Sequence, residues 1–170
     1  MVEPVLVSAC LLGQPVRYHG GSAECRDPIL QRWLAEGRVI AVCPEMAGGL
    51  PAPRPAAEIR PSQDGVRVLR AGARVIDAAG ADVTSAFVRG AEKTLAIARA
   101  RRVQIAVLKE GSPSCGSDYV FDGSFSGTRA PGMGVTAAGL AEAGVRVFSE
   151  SQLEQAALYL EQLETQNTHP

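Results

Sequence analysis

Short apolar runs alternate along the chain with longer stretches in which apolar positions recur every three or four residues. The runs fall at residues 5–7, 39–42, 105–108 and 145–148, and read Val-Leu-Val, Val-Ile-Ala-Val, Ile-Ala-Val-Leu and Val-Arg-Val-Phe. Their length and β-branched content predict short buried strands. Between them, Asp27-Pro28 opens a helix, with Asp27 as N-cap, Pro28 at the first helical position and Gly37 at the C-terminal cap. Asp82 is expected to cap the longest helix, over 84–102, whose Phe87, Ala91, Leu95 and Ala98 share one face. A shorter helix over 135–143 closes at Gly144. The last helix runs from about Ser151 to 166 with a stripe of Leu153, Ala156, Ala157, Leu160 and Leu163, and the tail after Gln166 is expected to fray. Asp64-Gly65 lies between alternating segments and predicts a hairpin with arms at 66–69 and 73–76.

Strands separated by crossover helices predict a parallel sheet covered on both faces, with right-handed connections. The expected fold is therefore α/β: one domain over 1–170, Rossmann-like and three-layered, with a mainly parallel sheet and a hairpin inserted after the second strand.

Composition narrows the function classes. Of 170 residues, 21% are charged and the formal net charge is -1, which argues against a broad electrostatic grip on nucleic acid. The one basic cluster, Arg99-Ala-Arg-Arg102, reads as the solvated end of a helix. Trp33 and the few other aromatics form no stacking platform for single strands. The start Met-Val-Glu-Pro-Val-Leu-Val has no charged leader region and no long apolar run follows, so neither a signal peptide nor a membrane span is expected. A cytoplasmic location follows, where four cysteines read as core residues, ligands or reactive thiols before disulfides. Oligomeric state is not written in these features.

Cys10, Cys43 and Cys115 each stand just past the C-terminal end of a predicted strand. In an open parallel sheet those ends face one crevice, where ligands collect. Three thiols at one rim point to a ligand set, although a single cysteine so placed would read as core. Cys25, in a loop before the first helix, reads as incidental. There is no C-x-x-C pair, His19 is the one central histidine and His169 lies in the tail. All-thiolate ligation suits an iron–sulfur cluster, and three cysteines on a cubane leave one iron open to substrate. Spacing alone leaves a three-cysteine zinc site open.

Near these thiols, Glu45 is placed to act as a general base. Ser112 and Ser114 flank Pro113 and can donate hydrogen bonds to a substrate atom or to cluster sulfide. Arg54 and Glu58, in and beside a loop dense in Pro and Gly, are expected to serve a structural salt bridge. Lys109 and Glu110 end the third strand at the same rim, without an assigned role.

Several ordered motifs resemble the thiouracil desulfurase family. They are Leu6-Val-Ser-Ala-Cys-Leu-Leu-Gly13, Val42-Cys-Pro-Glu45, Gly48-Gly-Leu-Pro-x-Pro-Arg-Pro-x-x-Glu-Ile59, Leu108-Lys-Glu-x-Ser-Pro-Ser-Cys-Gly-Ser117, Phe121-Asp-Gly-x-Phe-x-Gly127 and Gly134-Val-Thr-Ala-Ala138. The resemblance covers about 6–150. It implies a [4Fe–4S] cluster on Cys10, Cys43 and Cys115 with one open iron, and Glu45 and Ser112 at the catalytic acid–base and hydrogen-bonding positions. The implied reaction is non-redox desulfuration of a thiolated uracil (2- or 4-thiouracil or a small thionucleotide), releasing sulfide and uracil. The substrate partner is thus a small thiolated pyrimidine, and maturation would draw on iron–sulfur assembly machinery. Val16 departs from the pattern, standing where many members carry a cysteine. Rival readings are another open-iron enzyme, such as a hydro-lyase, and a non-enzymatic module that binds a metal or cluster.

Overall fold

The structure, a computed structural model, describes residues 2–60 and 63–168. Along these the chain forms β1 (Val5–Ser8), α1 (Pro28–Ala35), β2 (Val39–Val42), α2 (Pro44–Ala47), β3 (Ala57–Arg60), α3 (Gly65–Arg70) and β4 (Arg74–Asp77). It continues through α4 (Thr84–Ala100), β5 (Ile105–Leu108), β6 (Tyr119–Phe121), β7 (Arg129–Pro131), α5 (Val135–Glu142), β8 (Arg146–Ser149) and α6 (Leu153–Thr168). The central sheet has the order β2-β1-β5-β8 and is parallel throughout, with Val5 opposite both Val39 and Ile105.

Strand periodicity splits the core into two layers. Val5, Val7, Ile105 and Val107 point to one face and pack with Leu30 and Trp33 of α1 and Leu153, Ala156, Leu160 and Leu163 of α6. Leu6, Ala106 and Leu108 point to the other face, against Ala98 of α4 and Ala137 and Leu140 of α5. Residues of β1 and β5 have no exposed surface beyond 2%, because helices cover both sides. Each fully buried Val, Leu or Ile contributes about 1.5–3 kcal/mol of transfer free energy. The three-layer α/β arrangement with its mainly parallel sheet agrees with the pattern along the chain.

The hairpin expected at Asp64-Gly65 is not formed. The Asp64 side chain accepts from the Arg67 amide and so caps α3 instead of turning a hairpin. A Cβ at Gly65 would lie 2.3 Å from the Gly134 carbonyl, so this glycine permits close packing against the start of α5. The run Val66, Val68, Leu69 fits a helix face as well as strand alternation, and periodicity alone does not separate the two. An antiparallel pair does follow β2, but β4 pairs with β3, Ala57 opposite Asp77 and Arg60 opposite Arg74.

Smaller differences sit at element ends. The N-cap of α4 is Val83, while Asp82 Oδ1 accepts from both the amide and the hydroxyl of Thr84. A one-turn helix, Glu150–Gln152, precedes α6, and α6 continues to Thr168. His169 and Pro170 lie outside the described residues. Among the described residues no helix is long and apolar enough to cross a membrane.

Candidate active site

The chain leaves β1 for β2 on one side and later returns to place β5 on the other side of β1. Beyond the C-terminal ends of such a switch point the loops diverge and open a crevice. A cavity of about 400 Å³ occupies that crevice, and Cys10, Cys43 and Cys115 all line it. They follow three adjacent strands, β1, β2 and β5. All four cysteines of the chain are free. Cys25 does not line the cavity; it packs against the core layer of α1 and α6, in keeping with its reading as incidental.

Local structure fixes each thiol. Cys10 sits in a one-turn helix, Ala9–Leu12, closed by Gly13 in the left-handed conformation. Cys43 is the N-cap residue of α2, and its thiol donates to the Val16 carbonyl at 3.9 Å. The turn is seated hard on α4: a Cβ at Gly90 would lie 2.0 Å from the Pro44 carbonyl oxygen, and one at Gly48 would lie 2.0 Å from that of Ala86. Cys115 is held through Ser112, whose Oγ accepts from the Ser114 and Cys115 amides at 3.0 and 3.1 Å. The carboxylate of Glu110 fills the centre of the same loop. It accepts from the amides of Gly111, Ser117, Asp118 and Tyr119 and from the Ser117 hydroxyl. These bonds outweigh its burial and hold it below the usual carboxylate range.

Burial raises all three thiols: Cys10 to about 11, with Arg17 opposing, and Cys43 and Cys115 in the same direction. The neighbouring Ser8 hydroxyl partly offsets that rise at Cys115. Ser8 is itself positioned by accepting from the Lys109 amide at 2.9 Å.

Among the described residues no three His, Cys, Asp or Glu side chains gather as one metal ion requires. His19 is absent from the cavity wall, and its Nδ1 accepts from the Gly21 amide. Structural zinc, with four ligands about one point, is therefore poorly served. A cubane carries its irons on separate corners and asks for a wider triangle of soft donors. Three thiols that follow adjacent strands and line one cavity are soft donors of that kind.

Beside the thiols stands a polar arm. Glu45, in the first turn of α2, is joined through Oε2 to the Arg54 guanidinium, with Nε at 2.8 Å and Nη2 in contact. Both side chains are largely shielded from solvent, at 14% and 7% exposure. Its other oxygen, Oε1, accepts from Ser112 Oγ at 3.3 Å. Ser112 thus accepts from its own loop and donates to Glu45, linking the Cys115 loop to the Cys43 turn.

Two expectations change. Arg54 pairs with Glu45 and not with Glu58, which instead accepts from the amides of Gly123 and Phe125. Ser114 faces away from the cavity and bonds to Thr136 of α5 at 3.0 Å. Sequence reasoning missed Ser8 and the anchoring role of Glu110, and it left unplaced the Lys109–Glu150 pair at 3.2 Å. For Glu110 the available signal was its place inside an ordered motif; for Ser8 it was adjacency to the strand end.

Comparison with known proteins agrees with this geometry. The model of the 2-thiouracil desulfurase family matches residues 5–152. The chain is 43% identical over 149 residues to "Uncharacterized protein YbbK" of Bacillus subtilis (strain 168), covering 88% of this chain and 97% of that protein. It is similar in structure to [4Fe-4S]-dependent thiouracil desulfidase TudS, with a TM-score of 0.85 and 48% identity, over 94% of this chain and 98% of that one. Thiols, polar arm and sheet order thus sit within a match that spans nearly the whole chain, and the chain belongs to the 2-thiouracil desulfurase family.

Proposed function

We propose that this protein removes sulfur from a thiolated uracil, as the free base or a small nucleotide, by hydrolysis without net redox change. The observation that carries this reading is one cavity lined by three thiols, two buried and one half-buried, together with Glu45, Arg54 and Ser112. Cys10, Cys43 and Cys115 would hold a [4Fe–4S] cluster, and this donor set fits one. When bound, such a cluster supplies a soft Lewis acid with an affinity for sulfur over oxygen.

The chain's own residues then have defined tasks. Arg54 holds one oxygen of Glu45, so the other is presented with a fixed orientation. Glu45 accepts a proton from a water molecule that adds to the thiocarbonyl carbon. Ser112 holds Oε1 in line and keeps the Cys115 loop at a fixed distance from it. The balance is closed: carbon–sulfur is exchanged for carbon–oxygen, one water is consumed, and hydrogen sulfide and uracil leave. No electron donor enters. The buried free thiols suit a reducing compartment such as the cytoplasm, and delivery of the cluster by iron–sulfur assembly proteins belongs to the same reading.

Anaerobically reconstituted protein is expected to release sulfide and uracil in equal amounts from 2- or 4-thiouracil with no reductant present. Glu45→Gln should keep its cluster and lose about 10²–10⁴-fold in kcat, the usual range for a positioned general base. Parent-level turnover by that variant removes Glu45 from the mechanism, and a parent silent on every thiolated base and nucleotide overturns the function.

A further inference from the structure

The motif Phe121-Asp-Gly-Ser-Phe-Ser-Gly127 has no part in holding the thiols or Glu45, yet Phe121, Phe125 and Gly127 line the same cavity. They belong to the tip of the antiparallel pair β6–β7. This tip is fastened to β3 from several directions. Glu58 Oε1 accepts from the Gly123 amide at 2.9 Å and the Phe125 amide at 3.2 Å. Arg60 Nε donates to the Gly123 carbonyl at 2.8 Å. A Cβ at Gly123 would lie 2.7 Å from the Ile59 carbonyl oxygen, so the backbones touch there.

Phe125 also carries a positive φ of 55°, which among the described residues only Arg102 shares outside glycine. A bulky residue keeps such a conformation only where its surroundings impose it, and such positions cluster at functional sites. Here the surroundings are the Glu58 carboxylate on its amide and the Arg60 guanidinium, 5.5 Å from the ring centroid. Arg60 thus covers one face of a ring that also lines the cavity. The remaining aromatic candidates on the wall are committed elsewhere. Phe87 is 2% exposed and packs in the core around β3 and β4, and Tyr18 lies at the surface, 42% exposed.

From this geometry we propose that Phe125, seconded by Phe121, is the surface on which the planar ring of the substrate stacks, and that Glu58 is the positioning residue that holds it there. The inference rests on the reading of the substrate as a thiolated pyrimidine and adds the specificity element that reading lacks. Every pyrimidine has a π-face, so the contact would select for a flat ring and leave the choice of reacting atom to the thiol end.

The test uses reconstituted holoprotein, steady-state kinetics on 2-thiouracil, and equilibrium binding of uracil, which carries no sulfur. Base–aromatic stacking is worth about 1–3 kcal/mol, or about 5–150-fold in affinity. Phe125→Ala is expected to raise KM and weaken uracil binding within that range, with kcat, iron content and the visible spectrum close to the parent. Phe125→Tyr should restore both constants, Phe125→Leu should not, and Glu58→Gln should shift both in the direction of Phe125→Ala by less. An active parent whose Phe125→Ala variant keeps its KM and uracil affinity overturns the inference alone. So does a Phe125→Tyr variant as weak as Phe125→Ala, which would reduce the residue to loop packing. A parent that releases no sulfide sinks the functional reading and this one with it.

Discussion

Cys10 and Cys115 are 8% and 6% exposed, and their thiols accordingly keep their protons well above neutrality. A metal-bound cysteine is a thiolate, so loading the site releases protons, and affinity should climb with pH across the neutral range. The same shift predicts how the metal-free protein behaves. An unfolded cysteine titrates near 9.0, whereas folded Cys10 holds its proton to about 11. Between those values the unfolded chain binds fewer protons than the folded one, so stability falls as pH rises. The contribution is fully present below pH 9 and is lost as pH passes 11, about 1–3 kcal/mol in all. Urea titration of reduced, metal-free protein at pH 8 and pH 10.5 should show this loss, smaller in Cys10→Ala. Equal losses in the parent and that variant would mean that Cys10 is not the source.

At the scale of elements, the site depends on how closely the turn after β2 approaches α4. Gly90 is mid-helix, where alanine would ordinarily help by about 1 kcal/mol. Its missing Cβ lets the Pro44 carbonyl come so near that an added methyl would stand 2.0 Å from the oxygen. Relief requires backbone movement, and overpacking of this kind costs about 1–3 kcal/mol. Gly90→Ala should therefore lower the melting temperature and, because Pro44 stands between Cys43 and Glu45, reduce cluster retention on dilution. Calorimetry and iron release to a chelator measure the two. A variant at least as stable as the parent with unchanged iron release would contradict the packing described for α2.

What could be read from the chain divides at this scale. The two central strands were legible because both faces are buried and their apolar runs are uninterrupted, as in Val5-Leu6-Val7 and Ile105 to Leu108; the edge strands β2 and β8 are partly exposed and were read from their remaining apolar positions. The shared address of Cys10, Cys43 and Cys115 followed from those strand ends. The segment 64–77 was misread because Asp64-Gly65 serves equally as a turn or as a cap with a close-packing glycine, and only its contact with Gly134 decides. Partners distant in sequence were invisible for the same reason. That Arg54 would meet Glu45, and Glu58 the amides at 123 and 125, depends on where tertiary packing carries β3 and the loop before it.

For the molecule as a whole, the three-layer core is a platform whose function is concentrated on one edge. α1 and α6 cover one face and α4 and α5 the other, leaving the strand ends of β1, β2 and β5 open, where three loops meet. The thiols, the Glu45–Arg54–Ser112 arm and the β6–β7 tip reach that edge from separate parts of the chain. All of them line one cavity. The most direct check is the iron and inorganic sulfide bound per chain after anaerobic reconstitution, in the parent and in each cysteine-to-serine variant. A cluster held on those three thiols predicts about four of each in the parent and in Cys25→Ser, with marked loss in Cys10→Ser, Cys43→Ser and Cys115→Ser. A full complement retained by any of those three, or lost in Cys25→Ser, would contradict it.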